Sequence, residues 1–103
     1  MSYHLWINDE VKSEIRRLPG HLRQRIRHAI QDLAFKQRPD NSRLMRAPEG
    51  VELELELRRI RLAEWRVIYV IDEEWSEIGV LAVRKRPPYG YEDLSDLLKE
   101  FEG

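Results

Sequence analysis

Two short runs concentrate the side chains that could do chemistry. Residues 55–69 read LELRRIRLAEWRVIY and residues 83–91 read VRKRPPYGY; together they hold seven of the eight Lys and Arg residues that follow position 46, namely Arg58, Arg59, Arg61, Arg66, Arg84, Lys85 and Arg86. Both runs have the composition of β-strands, in which residues two apart project from the same face. A sheet that sets such runs side by side carries a rigid array of cations, and guanidinium forks match phosphate oxygens in spacing and charge. The chemistry these residues suit is the holding of a phosphate backbone.

The whole-chain charge conceals this. The net charge is −1, which excludes a generally basic nucleic-acid binder, yet residues 1–46 carry +5 and residues 47–103 carry −6. Many acids are bunched at Glu52, Glu54 and Glu56, from Asp72 to Glu77, and near the C-terminus, leaving the arginine run locally basic. At 103 residues the chain is expected to form one domain spanning 1–103, able to bury roughly 60 to 70% of its unfolded surface. It contains no cysteine, which removes disulfides, thiolate zinc sites and cysteine nucleophiles and fits a reducing cytoplasm. No apolar run approaches the roughly 20 residues of a membrane span, so neither a signal peptide nor a membrane anchor is expected.

The elements that must position the cations follow from periodicity. Residues 3–8 are apolar and aromatic and predict a strand, with Asp9 as the cap of a following helix. Val11, Ile15 and Leu18 recur at i, i+4 and i+7 before Pro19-Gly20 stops that helix. Leu22, Ile26, Ala29, Ile30 and Leu33 form the apolar stripe of a second, so the two make a helical hairpin. Residues 37–50, with Pro39, Pro48 and Asp40-Asn41-Ser42, predict a loop. From Val51 the period becomes two, with Val51, Leu53, Leu55 and Leu57 on one face. At Arg58-Arg59 the phase flips, because Ile60 and Leu62 fall on even positions, and a β-bulge or strand break near Arg58 is the expected cause. A turn at Ala63-Glu64, a buried strand over 65–71, an acidic turn over 72–77 and a strand over 78–85 complete an antiparallel meander. Leu94, Leu97, Leu98 and Phe101 then mark a C-terminal helix. The expected class is α+β, a small antiparallel-rich sheet with an N-terminal helical hairpin in the order β-α-α-β-β-β-α.

That order, with an Arg-x-Arg pair on one strand, an aromatic-Arg-Val-Ile-Tyr strand next, and a Lys-Arg turn followed by tyrosine, resembles the RelE/ParE superfamily of bacterial toxin-antitoxin toxins. The most specific pieces are RRIRLAEWRVIY, residues 58–69, and IGVLAVRKR, residues 78–86. The resemblance implies a toxin neutralised by a cognate antitoxin, with no cofactor and no metal. It implies one of two activities: RelE-like members cleave messenger RNA in the ribosomal A site, whereas ParE-like members poison DNA gyrase and lack the nuclease residues. By position, Arg61, Arg66, Arg86 and Tyr91 resemble the catalytic set, and Arg59, Arg84, Lys85 and Tyr89 the substrate-binding set. The match departs in three places. Arginine stands at both strand positions where the best-known RelE pattern has lysine, Pro87-Pro88 leaves the tyrosine register open between Tyr89 and Tyr91, and Ala63-Glu64 occupies a turn where glycine is common.

RNA cleavage without a metal uses the 2′-hydroxyl as nucleophile and needs a proton acceptor, stabilisation of the phosphorane and a proton donor for the leaving oxygen. Arginine serves the second need, since one preorganised donor aimed at developing charge contributes roughly 3 to 4 kcal/mol. It is a poor base, because its pKa stays above about 12. Tyr91 or Lys85 would have to drop by about three units, or roughly 4 kcal/mol, to act as base at neutral pH. Arginine electrostatics is therefore the larger expected contribution, with the ribosome bending the message into line.

Each feature also has a plainer explanation. The arginines can pair with Glu52, Glu54 or Glu56, each pair contributing about 0.2 to 1 kcal/mol. Trp6, Trp65, Tyr69 and Trp75 suit core or edge packing. His4, His21 and His28 lack metal-ligand spacing. Glu64 is a minor candidate base and more simply a salt-bridge partner, and the acidic run over 72–77 a solvated turn. Two functions of different class follow: a ribosome-dependent messenger RNA endonuclease resting on Arg59, Arg61, Arg66 and Arg86, and a gyrase inhibitor acting through its helical hairpin. A degenerate, inactive member is a third.

Overall fold

The computed structural model describes residues 2–48, 50, 54–85 and 92–102. The chain starts with a strand, β1 (His4–Ile7), and turns at once into a helix, α1 (Asp9–Arg16). The residue that caps this helix is Asn8 rather than Asp9: the Asn8 side-chain oxygen accepts a hydrogen bond from the Glu10 backbone N–H at 2.8 Å. Asp9 and Glu10 instead lie in the first turn, where carboxylates complement the helix dipole. Pro19 separates α1 from α2 (Gly20–Asp32), and the pair forms the predicted hairpin.

A short strand, β2 (Ser42–Leu44), interrupts the segment expected to be loop. Three residues are too few for a periodic signal, and β2 exists because β3 (Glu56–Leu62) offers it an antiparallel edge. After β3 come β4 (Trp65–Asp72), β5 (Glu77–Lys85) and a C-terminal helix, α3 (Leu94–Glu102). The sheet order is β1-β5-β4-β3-β2, with β1 parallel to β5 and the remaining pairs antiparallel. Because β1 and β2 occupy opposite edges, the α1-α2 hairpin that connects them is carried across one face of the sheet.

Both faces are covered, by different partners. On the hairpin face Val11, Ile15, Ile26, Ile30 and Leu33 pack against Ile60, Val67, Tyr69, Ile71 and Val80. On the other, Leu94, Leu97 and Leu98 of α3 pack against Leu57, Ile68, Val70 and Leu81. This explains the apparent phase flip in β3 without a defect in that strand. Leu57 faces α3 while Ile60 and Leu62 face the hairpin, and the register with β4 runs unbroken from Glu56 opposite Ile71 to Leu62 opposite Trp65. The irregularity expected near Arg58 lies instead between β4 and β5, where pairing jumps from Ile68–Ala82 to Tyr69–Val80 and leaves Leu81 as the extra residue. Val51–Leu53, expected to open β3, lie outside the described residues; Glu54 and Leu55 precede the strand.

Gly79 lets α3 lie close to the sheet. A Cβ at this position would come within 2.4 to 2.9 Å of three ring atoms of Phe101, so the aromatic ring occupies the space a side chain would need. Phe101 also meets Trp6 edge to face, with centroids 5.5 Å apart. At the same end, the Asn8 side-chain amide donates to Glu100 at 2.6 Å.

Candidate phosphate-binding site

The alternation of β3 sorts its arginines. Arg58 points to the hairpin face, where it donates to Glu56 at 2.8 Å and to the Ser42 hydroxyl at 3.2 and 3.1 Å. Arg59 and Arg61 share the opposite face with Leu57. Directly opposed residues in an antiparallel pair lie on the same face, and the register sets Arg61 opposite Arg66 and Arg66 opposite Arg84. Three adjacent strands therefore place three arginines in one row across the sheet. Arg59 lies on the same face two residues from Arg61, and Arg43 of β2 is opposite Arg59.

Like charges directly opposite one another destabilise a sheet, so the way each member is held matters. Arg66 is the buried one, 7% exposed, and its Nη1 donates to the carbonyls of Ala63 and Trp65 at 3.1 and 2.9 Å. The hairpin turn that supplies those acceptors carries Ala63 at φ +52°, in the left-handed region. Arg84 forms a fork with Asp93, Nη1 to Oδ1 at 2.7 Å and Nη2 to Oδ2 at 2.5 Å. That hydrogen bonding and charge hold the Asp93 carboxyl below its ordinary range, so it remains an anion. Arg59 and Arg61 make no ion pair among the described residues; Glu56 lies on the opposite face of β3, where it is engaged by Arg38 and Arg58.

Four of the residues expected from sequence thus come together: Arg59, Arg61, Arg66 and Arg84. Lys85 does not join them. As the next residue after Arg84 it faces the hairpin side, with its ammonium 3.7 Å from Glu64, so the minor candidate base is itself a salt-bridge partner. Arg86, Tyr89 and Tyr91 lie outside the described residues. Tyr69 is a core residue, wholly buried, donating its hydroxyl to the Gln37 carbonyl at 2.8 Å, and burial pushes its pKa up. No cluster of His, Cys, Asp and Glu able to hold a metal ion occurs among the described residues. Two participants escaped sequence reasoning. Arg43 lay in an apparent loop, and Asp93 lay in an acidic segment where nothing marked it as the partner of Arg84.

The arrangement can hold phosphate oxygens and stabilise charge developing on them. Asp93, the carboxylate that the structure brings to the row, is engaged by Arg84 through both oxygens. The fold recurs in known proteins. The family model for the ParE toxin of the type II toxin-antitoxin system parDE matches residues 6–87. The chain belongs to this toxin family, within the RelE/ParE superfamily.

The toxin is also similar to solved structures. It aligns with the archaeal RelE–RelB complex from Pyrococcus horikoshii OT3 at a TM-score of 0.73 and 23% identity, over 86% of this chain and 100% of that one. The isolated Escherichia coli RelE toxin aligns at 0.65 and 20% identity, over 97% and 99% of the two chains. A RelBE toxin-antitoxin complex from Mycobacterium tuberculosis aligns at 0.65 and 18%, over 84% and 100%. At these identities the likeness is one of fold. No curated protein sequence matches the toxin significantly. No helix among the described residues is long and apolar enough to cross a membrane.

Proposed function

We propose that the toxin is a ribosome-dependent endoribonuclease that cleaves messenger RNA without a metal and is held inactive by a cognate antitoxin. The observation that carries this reading is the row Arg61–Arg66–Arg84 on three adjacent strands, flanked by Arg59. Opposed like charges cost stability, and a polyanion that lies across them recovers it. In the proposed reaction the 2′-oxygen of one nucleotide bonds to its own 3′-phosphorus, the bond to the next nucleotide's 5′-oxygen breaks, and the products are a cyclic phosphate and a 5′-hydroxyl. Arg61 and Arg66 stabilise the charge on the phosphorane, Arg66 from a guanidinium already fixed by two carbonyls. Arg59 and Arg84 hold flanking phosphates. Arg86 joins the charge-stabilising set and Tyr91 exchanges the proton, with Tyr89 in substrate contact, as the superfamily resemblance implies; Lys85, on the other face, is left a peripheral role. The solved RelE–RelB complexes support an antitoxin as partner.

The match to a ParE family model favours a second reading, inhibition of DNA gyrase without catalysis. Its candidate surface is the α1-α2 hairpin, where Arg16, Arg17, Arg23, Arg25 and Arg27 cluster in the sequence. One experiment separates the two. Purified toxin is added to a reconstituted translation reaction followed by primer extension on the message, in parallel with a gyrase supercoiling assay, using wild type, Arg61→Ala and Arg66→Ala. Ribosome-dependent cuts lost in the variants support the nuclease; intact message with blocked supercoiling replaces it with gyrase inhibition.

A further inference from the structure

The row of arginines has a built-in anion. Asp93 stands just before α3, and its carboxylate meets the Arg84 guanidinium through both oxygens and both terminal nitrogens. This is the two-pronged geometry in which a guanidinium receives a phosphate. We propose that Asp93 is an internal stand-in for a substrate phosphate, filling the anion seat at Arg84 until RNA displaces it. The inference rests on the nuclease reading and concerns how its binding face is kept closed.

Three observations bear on it. Arg84 is opposite Arg66, which is opposite Arg61, so charge compensation at this end of the row favours the free toxin. The two partners also differ in their freedom. The Arg84 side chain is 18% exposed and rooted in β5, whereas that of Asp93 is 45% exposed and comes from the chain entering α3. Asp93 can therefore withdraw by a side-chain rotation while the arginine stays in place. Its backbone carbonyl is tied into α3, accepting from the Leu97 N–H at 3.1 Å, so that rotation leaves the helix seated. Finally, Asp93 is an anion supplied by a different element from the sheet, whereas a partner serving only to position Arg84 would more simply sit on a neighbouring strand.

Binding of a labelled single-stranded oligoribonucleotide, followed by fluorescence anisotropy across a salt series, tests the inference independently of cleavage. Asp93→Asn is expected to bind about five- to tenfold more tightly than wild type at low salt. The slope of log affinity against log salt is expected to steepen by about 0.7, the change for one more neutralised phosphate on a single strand. A loss of α3 packing alone would not change that slope. The gain must vanish in Arg84→Gln/Asp93→Asn, and thermal unfolding of each variant verifies that it is folded. Equal or weaker binding by folded Asp93→Asn overturns the inference and leaves Asp93 as a positioning residue for Arg84. Absence of binding by wild type and Asp93→Asn alike also overturns the inference, while the nuclease reading is decided separately by ribosome-dependent cleavage in the translation reaction.

Discussion

Replacing Arg61 by glutamine is expected to make the toxin more stable and less active. Leu62 and Trp65 flank a two-residue turn, so Arg61 and Arg66 are the next pair along the hairpin, the close-set kind with Cα atoms about 4.5 Å apart. Arg66 cannot swing away, because its guanidinium is held by the Ala63 and Trp65 carbonyls. The exposed Arg61 arm can retreat to about 6 Å, where two unit charges in a water-like dielectric still repel by about 0.7 kcal/mol. Arg59, two residues along the same face, adds roughly half as much after screening, for a total near 1 kcal/mol. In a domain of this size that corresponds to a rise in Tm of about 4 °C. Thermal unfolding of wild type and Arg61→Gln at about 10 mM and about 1 M salt measures it, since the Debye length shrinks from about 30 to about 3 Å over that range. The gain should be present at low salt and largely gone at high salt, while ribosome-dependent cleavage falls by about a hundredfold or more. A lower Tm for the variant, or a gain indifferent to salt, would refute the argument that the row is strained by its own charge.

Three further outcomes follow from the geometry. Gly79→Ala drives a methyl group into the Phe101 ring and is expected to cost about 1 to 3 kcal/mol, with a change in Trp6 fluorescence as the aromatic pair separates; an unchanged Tm would mean α3 is not seated on Gly79. Ala63→Gly relieves a left-handed backbone at φ +52° and is expected to stabilise by about 0.5 to 1 kcal/mol in denaturant titration. At acid pH, hydrogen bonds from Arg38 hold Glu56 below its ordinary value of 4.5, and those from Tyr3 and Arg38 do the same for Glu73. Their depressed values mean that this stability is fully present above about pH 4.5 and is lost as pH falls through the lowered values. Tm measured from about pH 6 down to about pH 3 should therefore decline, and decline less steeply in Arg38→Gln; equal slopes would show that Arg38 does not couple the two carboxylates to folding.

Much of this was legible in the residues. The helical hairpin and α3 announce themselves because a helix with one buried face must repeat its apolar residues at three and four. The β3–β5 meander does so through its turns. The arginines stand out because seven of eight late cations fall in two runs. The phase flip at Arg58-Arg59 was visible but misleading: period two marks which residues share a face, and only a second covering layer shows that both faces are buried. β2 was invisible, since a three-residue edge strand owes its existence to the partner beside it.

The sequence by itself determined the class, the meander and the identity of the cations, because these depend on local periodicity and side-chain chemistry. Tertiary structure decided their grouping. Register, a long-range property of strand pairing, put Arg61, Arg66 and Arg84 in one row, turned Arg58 to the other face, and left Lys85 beside Glu64. It also brought Asp93, nine residues further along the chain, onto Arg84. No local rule encodes such a meeting, because it arises only when α3 docks across the sheet and returns the chain to the strand it left.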